Sequence, residues 1–165
     1  MPKKPAAPFV LAEALLSAFD TNDRINQYLL DNLPAEAWRA EPPGKKGRDV
    51  AGVVAHMHNV RVMWLKATKG KVPEQLDRFT VTPALAKRAL ESSRAALHEV
   101  LQQSLEGDGR IKGFRPDVAG FFGYLIAHDA HHRGQITMLA RQSGYAIHRR
   151  RHSACGSGAC VKFMR

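Results

Sequence analysis

Residues 117–144, DVAGFFGYLIAHDAHHRGQITMLARQSG, decide the fold. An Asp following Pro116 opens the stretch, Gly144 closes it and no proline interrupts it, so it reads as one long helix. Wound at about 100° per residue, it places Phe121, Phe122, Leu125, Ile126, Ile136, Leu139 and Ala140 on one face. His132 falls inside that face, and His128 sits at its edge one turn earlier. His131 points to the opposite side and reads as a solvated surface residue. Asp129 lies near the middle of the apolar face with Arg133 one turn on, a spacing that predicts an ion pair or a contact supporting a nearby ligand.

Two imidazoles on a core-facing stripe are costly to bury unless their nitrogens are satisfied. A divalent metal does this, because neutral imidazoles from adjacent turns can share one ion. A hydrogen-bonded pair does it as well, so HxxxH alone carries little specificity.

Three further helices stand upstream. Residues 9–33 carry the stripe Leu11, Leu15, Phe19, Leu29, Leu30 and Leu33, and Pro34 stops them. Asn22 and Asn26 continue the stripe through its middle, either as core amides with partners or as a polar pocket, the former being the commoner use. Asp49 suits the N-cap of a second helix over 50–69, ended by Gly70, with Val50, Val53, Val54, Met57, Val60 and Trp64 inward. His56 and His58 flank that face on opposite sides, and periodicity does not choose between them as a third ligand. Thr82 and Pro83 start a third helix that runs to about Glu106, with Leu90, Ala96, Leu97, Val100 and Leu101 inward; His98 lies off its stripe. Between the first two helices, Pro42, Pro43, Gly44 and Gly47 predict an irregular connector, with one helical turn at PAEAW. No strand of useful length and no repeat appears, so four amphipathic helices predict an all-α four-helix bundle.

At 165 residues the chain suits one domain with a real core. No apolar run is long enough for a bilayer, and MPKKPAAP at 1–8 lacks the apolar stretch of a signal peptide, which predicts a cytoplasmic protein with no membrane partner. The net charge of +10 suggests nucleic acid until it is located: Arg149, Arg150, Arg151, Lys162 and Arg165 follow Tyr145 with no acid among them, and Lys3 and Lys4 precede the first helix. The organisation is thus a flexible N-terminus at 1–8, a bundle at 9–147 and a basic tail at 148–165. The tail holds His148, His152, Cys155 and Cys160, whose spacing matches no zinc-finger pattern, and no disulfide framework serves the core.

LPAEAW with its proline-containing connector, RDVAGVVAHMHNVRVMWL and AHDAHHRGQITMLARQSGY, in that order over residues 9–147, resemble the DinB family, also called DinB/YfiT-like metalloenzymes. The segment His128 to Gln135 is the most specific part of the match. The resemblance implies an up-down-down-up bundle with a divalent metal on three histidines, which by position are His56, His128 and His132. Zinc is the first expectation, with nickel or iron also suited to imidazole donors. Three protein ligands leave open positions for water or substrate. Relatives that are thiol transferases or isomerases using low-molecular-weight thiols imply a transferase-like or hydrolytic reaction on a small molecule, within a stress or detoxification role. A homodimer through bundle faces is implied too. No catalytic residue beyond the ligands, and no other cofactor, is indicated; Tyr124, Gln135 and Arg133 neighbour the motif without a defined role. The rival reading is a non-catalytic stress or nucleic-acid-associated module with a structural metal, ranked lower because no helix clusters Arg and Lys. After Tyr145 the tail departs from the family's usual closing segment.

Overall fold

The computed structural model describes residues 8–147, so the tail and its four His and Cys residues lie outside the described residues. Four helices form: α1 (Leu11–Asn32), α2 (Val50–Thr68), α3 (Pro83–Glu106) and α4 (Val118–Gln142). The starts of α2, α3 and α4 are set by side-chain caps that accept otherwise orphaned backbone N–H groups, whereas Val10 gives α1 no side-chain cap. Asp49 Oδ1 accepts from Gly52 N at 2.7 Å, Thr82 Oγ1 from Leu85 N at 3.3 Å and Asp117 Oδ1 from Gly120 N at 2.9 Å. Gly144, at φ 85°, closes α4 and lets Tyr145 N reach Ala140 O at 2.8 Å.

The end of α2 differs in detail from expectation. Lys69, at φ 60°, takes the left-handed position, and Gly70 follows it. Gly70 serves close approach: a Cβ there would lie 3.0 Å from Val100 Cγ2 and 3.1 Å from Leu65 Cδ2. The α1–α2 connector forms the helical turn expected at PAEAW, and a second short turn follows it at Pro43–Lys45. Both are 3-10 turns, the first, Ala35–Arg39, pinned by Trp38 Nε1, which donates to Val81 O at 3.0 Å.

The helix directions follow from cross-helix pairs. Phe19 clusters with Phe121 and Leu125 at one end, and Leu29 and Leu30 with Ile136 at the other, so α1 and α4 run parallel. Asp31 meets Lys87 and Asp20 meets Arg94, so α3 opposes α1. Trp64 packs on Phe121 while His56 lies against His132, so α2 opposes α4. The bundle is therefore up-down-down-up, with α1 diagonal to α2, and the parallel α2–α3 pair requires the long return loop of residues 69–82. Among the described residues, no helix is long and apolar enough to cross a membrane.

The core comes in two apolar halves. One gathers Leu29, Leu30, Trp38, Val54, Met57, Leu90 and Ile136; the other gathers Phe19, Leu65, Leu97, Leu101, Phe121 and Leu125. Between them, every helix contributes buried polar groups: Asn22, Asp23 and Asn26 from α1, His58 and Arg61 from α2, Ser93 from α3 and Asp129 from α4. This polar layer lies level with the histidines.

A three-histidine centre at the polar layer

Arg61 is 1 % exposed, deep in the layer. Its Nη1 donates to Asp23 Oδ1 at 3.0 Å and Leu90 O at 3.0 Å, and its Nη2 to Asp129 Oδ2 at 2.7 Å. One guanidinium thereby touches all three other helices. Asp129 Oδ2 also accepts from Asn22 Nδ2 at 2.6 Å and Asn26 Nδ2 at 2.9 Å. Burial alone would raise the Asp129 carboxyl, but Arg61 and the two amides outweigh it and hold Asp129 below its ordinary value, ionised. Burial likewise opposes the charge on Arg61, and Asp129 and Asp23 more than compensate.

The expected Asp129–Arg133 pair does not form. Arg133 Nη1 instead donates to Asn22 Oδ1 and Asn26 Oδ1, both at 2.7 Å, while Arg61 takes the carboxylate. The reason is geometric: Asp129 points into the bundle centre, where α2 supplies a closer cation than a half-buried residue one turn along the same helix. Asn22 and Asn26 are the satisfied core amides that their positions suggested, each donating to Asp129 and accepting from Arg133.

The outer edge of this layer, between α2 and α4, carries His56, His128 and His132. One nitrogen from each ring lies within 4.8 Å of the others. His132 is buried, whereas His56 and His128 are partly exposed, so the cluster opens to solvent on one side. His132 Nδ1 lies 2.7 Å from Gln135 Oε1, an acceptor only, so that nitrogen carries the proton and Nε2 carries the lone pair. His132 Nε2 and His128 Nε2 are 3.1 Å apart, and in this arrangement the His128 N–H donates. A metal would take both lone pairs instead. The spacing suits one, since two nitrogens bound at 2.0–2.1 Å in tetrahedral geometry lie about 3.3 Å apart.

All three rings are held neutral at pH 7. Burial, then the neighbouring His132, pushes His128 down to about 4. Burial, then Arg48 and His132, lowers His56. Burial also lowers His132, against the opposing bond to Gln135. Neutral imidazoles with directed lone pairs are what a divalent cation requires. Beside the cluster, Tyr124 stacks on His128 with ring centres 5.9 Å apart, and Trp64, Phe114 and Phe121 pack edge to face behind it.

His58 has a different use. It is fully buried, with Nδ1 3.2 Å from Ser93 Oγ and Nε2 2.8 Å from Glu74 O, so both nitrogens are engaged away from the cluster. His131 is exposed, as its angle indicated, and His98 faces Asp20 on the surface at 3.6 Å. Arg61 and Asp23 went unremarked in the sequence, although a signal existed: Arg61 stands one turn after Met57 and two after Val54, in the middle of an apolar face.

An up-down-down-up bundle with a solvent-facing cluster of three neutral histidines, braced by a buried ionic layer, defines a class of small helical protein. The DinB family pattern matches residues 3–149, and the chain belongs to the DinB family. Its fold is similar to the crystal structure of a DinB-like protein from Bacillus cereus ATCC 10987, at 25 % identity, covering 82 % of this chain and 94 % of that one with a TM-score of 0.66. No curated protein sequence matches the chain.

Proposed function

We propose that the chain is a divalent-metal-dependent enzyme acting on a small molecule at His56, His128 and His132. The observation that carries this reading is the meeting of one nitrogen from each ring within 4.8 Å, from two helices, at the open edge of a bundle. Zinc is the first choice of metal, with nickel and iron next, since neutral imidazole suits all three. Bound there, the ion supplies Lewis-acid chemistry: polarising a carbonyl, or activating water or a thiolate.

The chain's own residues do the holding and shaping. Gln135 fixes the tautomer of His132, and the polar layer fixes α2 against α4. The partly exposed edges of His56 and His128 leave the approach for a small molecule, with Tyr124 as an aromatic wall. Thiol transfer or hydrolysis fits best. In a thiol transfer the thiolate would come from a second, low-molecular-weight substrate bound at the open positions of the ion. Action in the cytoplasm, as a homodimer and in response to stress, belongs to the same reading.

The test is elemental analysis of untagged protein with the His56→Ala, His58→Ala and His132→Ala variants. About one ion per chain, kept only in wild type and the His58 variant, supports the reading. An ion-free wild type after anaerobic reconstitution refutes it.

A further inference from the structure

Around the start of α2, next to the histidines, the surface folds into a cleft of about 310 Å³. Three arginines line it: Arg39, Arg48 and Arg78. They are not equivalent. Arg39 is committed to structure, donating to Asp49 Oδ2 at 3.2 Å and to the carbonyls of Arg78, Phe79 and Val81 at 2.6, 3.0 and 2.8 Å. Arg78 lies over the Phe79 ring, 4.3 Å from its centre, which leaves the edge of its guanidinium free to donate. Arg48 has no hydrogen-bond or ion-pair partner among the described residues.

Two acids share the wall. Asp49 is already spent, one oxygen capping α2 and the other on Arg39. Glu41 alone opposes Arg48 and Arg78, so the cleft is left positive. Gly52, also on the wall, stands one turn before His56 on α2, about 6 Å along the helix.

We propose that this cleft is an anion subsite of the three-histidine centre, in which Arg48 and Arg78 hold a carboxylate or phosphate of the small molecule while its reacting group lies at the histidines. Planar guanidinium donors match both oxyanions, and either would be drawn to the same positive cleft. The inference deepens the proposed function and rests on it for the identity of the reacting end. It narrows the substrate class to anionic small molecules whose charge sits roughly one helical turn from the atom that reacts.

Amide NMR titration of the full chain, once with inorganic phosphate and once with acetate, in chelator-treated buffer of low ionic strength, tests the subsite without any metal. Saturable shifts centred on Gly47, Arg48 and Gly52 are expected, and the oxyanion that saturates at lower concentration identifies the group. The Arg48→Gln variant should bind roughly tenfold more weakly, the loss of one charge-assisted hydrogen bond. Arg78→Gln should weaken binding in the same direction, and a distant Lys66→Gln control should leave it unchanged. Shifts that do not saturate with either ion, or that persist undiminished in the Arg48 and Arg78 variants, overturn the proposal. The two readings fail separately. A chain that takes up no metal yet binds phosphate through Arg48 keeps the subsite and loses the metal centre. One that holds metal while Arg48 stays silent does the reverse.

Discussion

Arg61 Nη2 lies 2.7 Å from Asp129 Oδ2, and both side chains are 2 % exposed. Such a pair gains little net stability over a well-packed apolar one, because desolvating two charges offsets much of their attraction. Removing one partner is another matter, since it strands the other in the core. Arg61→Met should destabilise the fold by about 3–5 kcal/mol. Adding Asp129→Leu should recover part of that loss. Urea denaturation of both single variants and the double variant gives the coupling; additivity within about 0.5 kcal/mol would mean that the two residues act independently.

His56 and His58 should behave oppositely although two residues apart. His58→Ala breaks the contacts with Ser93 and Glu74 O and should cost about 1–3 kcal/mol, with metal uptake unchanged. His56→Ala, partly exposed and without such contacts, should leave stability nearly intact and abolish uptake. Melting curves and metal content measured on the same samples decide it, and a His58 variant that loses the ion would refute the assignment.

Gln135 acts through His132. Gln135→Leu removes the acceptor for Nδ1–H and frees the ring to take the wrong tautomer, so metal affinity should fall about 10- to 100-fold. Gln135→Glu keeps an acceptor and should keep most of the affinity. Competition with a chelating dye measures both, and equal affinity in wild type and the Leu variant would remove Gln135 from the site.

The histidines also set a pH dependence for chelator-treated protein. His128 has a folded value of about 4 against an ordinary 6.5, so between those limits the unfolded chain binds a proton that the folded chain refuses. Its contribution is fully present above about pH 6.5 and is lost as pH falls toward 4. His56, His58 and His132 shift in the same direction. Tm should therefore fall through that window, and less steeply in His128→Gln. A flat or rising Tm would contradict the burial assigned to these rings.

The helices were legible because their signals are local. Asp49, Thr82 and Asp117 act within one turn, and Pro34 and Gly144 stop what precedes them. The inward face of α2 is wider than its periodicity shows: Val60 is only partly buried, while Ala51, His58, Val62 and Leu65 are sealed. That helix packs on α3 as well as α4, and the return loop covers a third side, with Asn59 exchanging hydrogen bonds with the backbone of Leu76. The helical angle places His132 on the inner face and is compatible with His128 at its edge. It does not choose His56 over His58, because that choice depends on Ser93 and Glu74, distant in sequence. Arg61 was missed for the same reason, its partners being Asp23, Leu90 and Asp129.

The division of the core by a charged layer has a consequence for redesign. Replacing Asn22, Asp23, Asn26, Arg61 and Asp129 with apolar residues of similar volume should raise the melting point, yet leave a continuous greasy interior in which α2 could slip a turn against α4 at little cost. A slip of one turn moves a helix by about 5.4 Å, more than the span that now gathers three imidazoles. A thermostabilised version built that way should melt later and scatter its histidines.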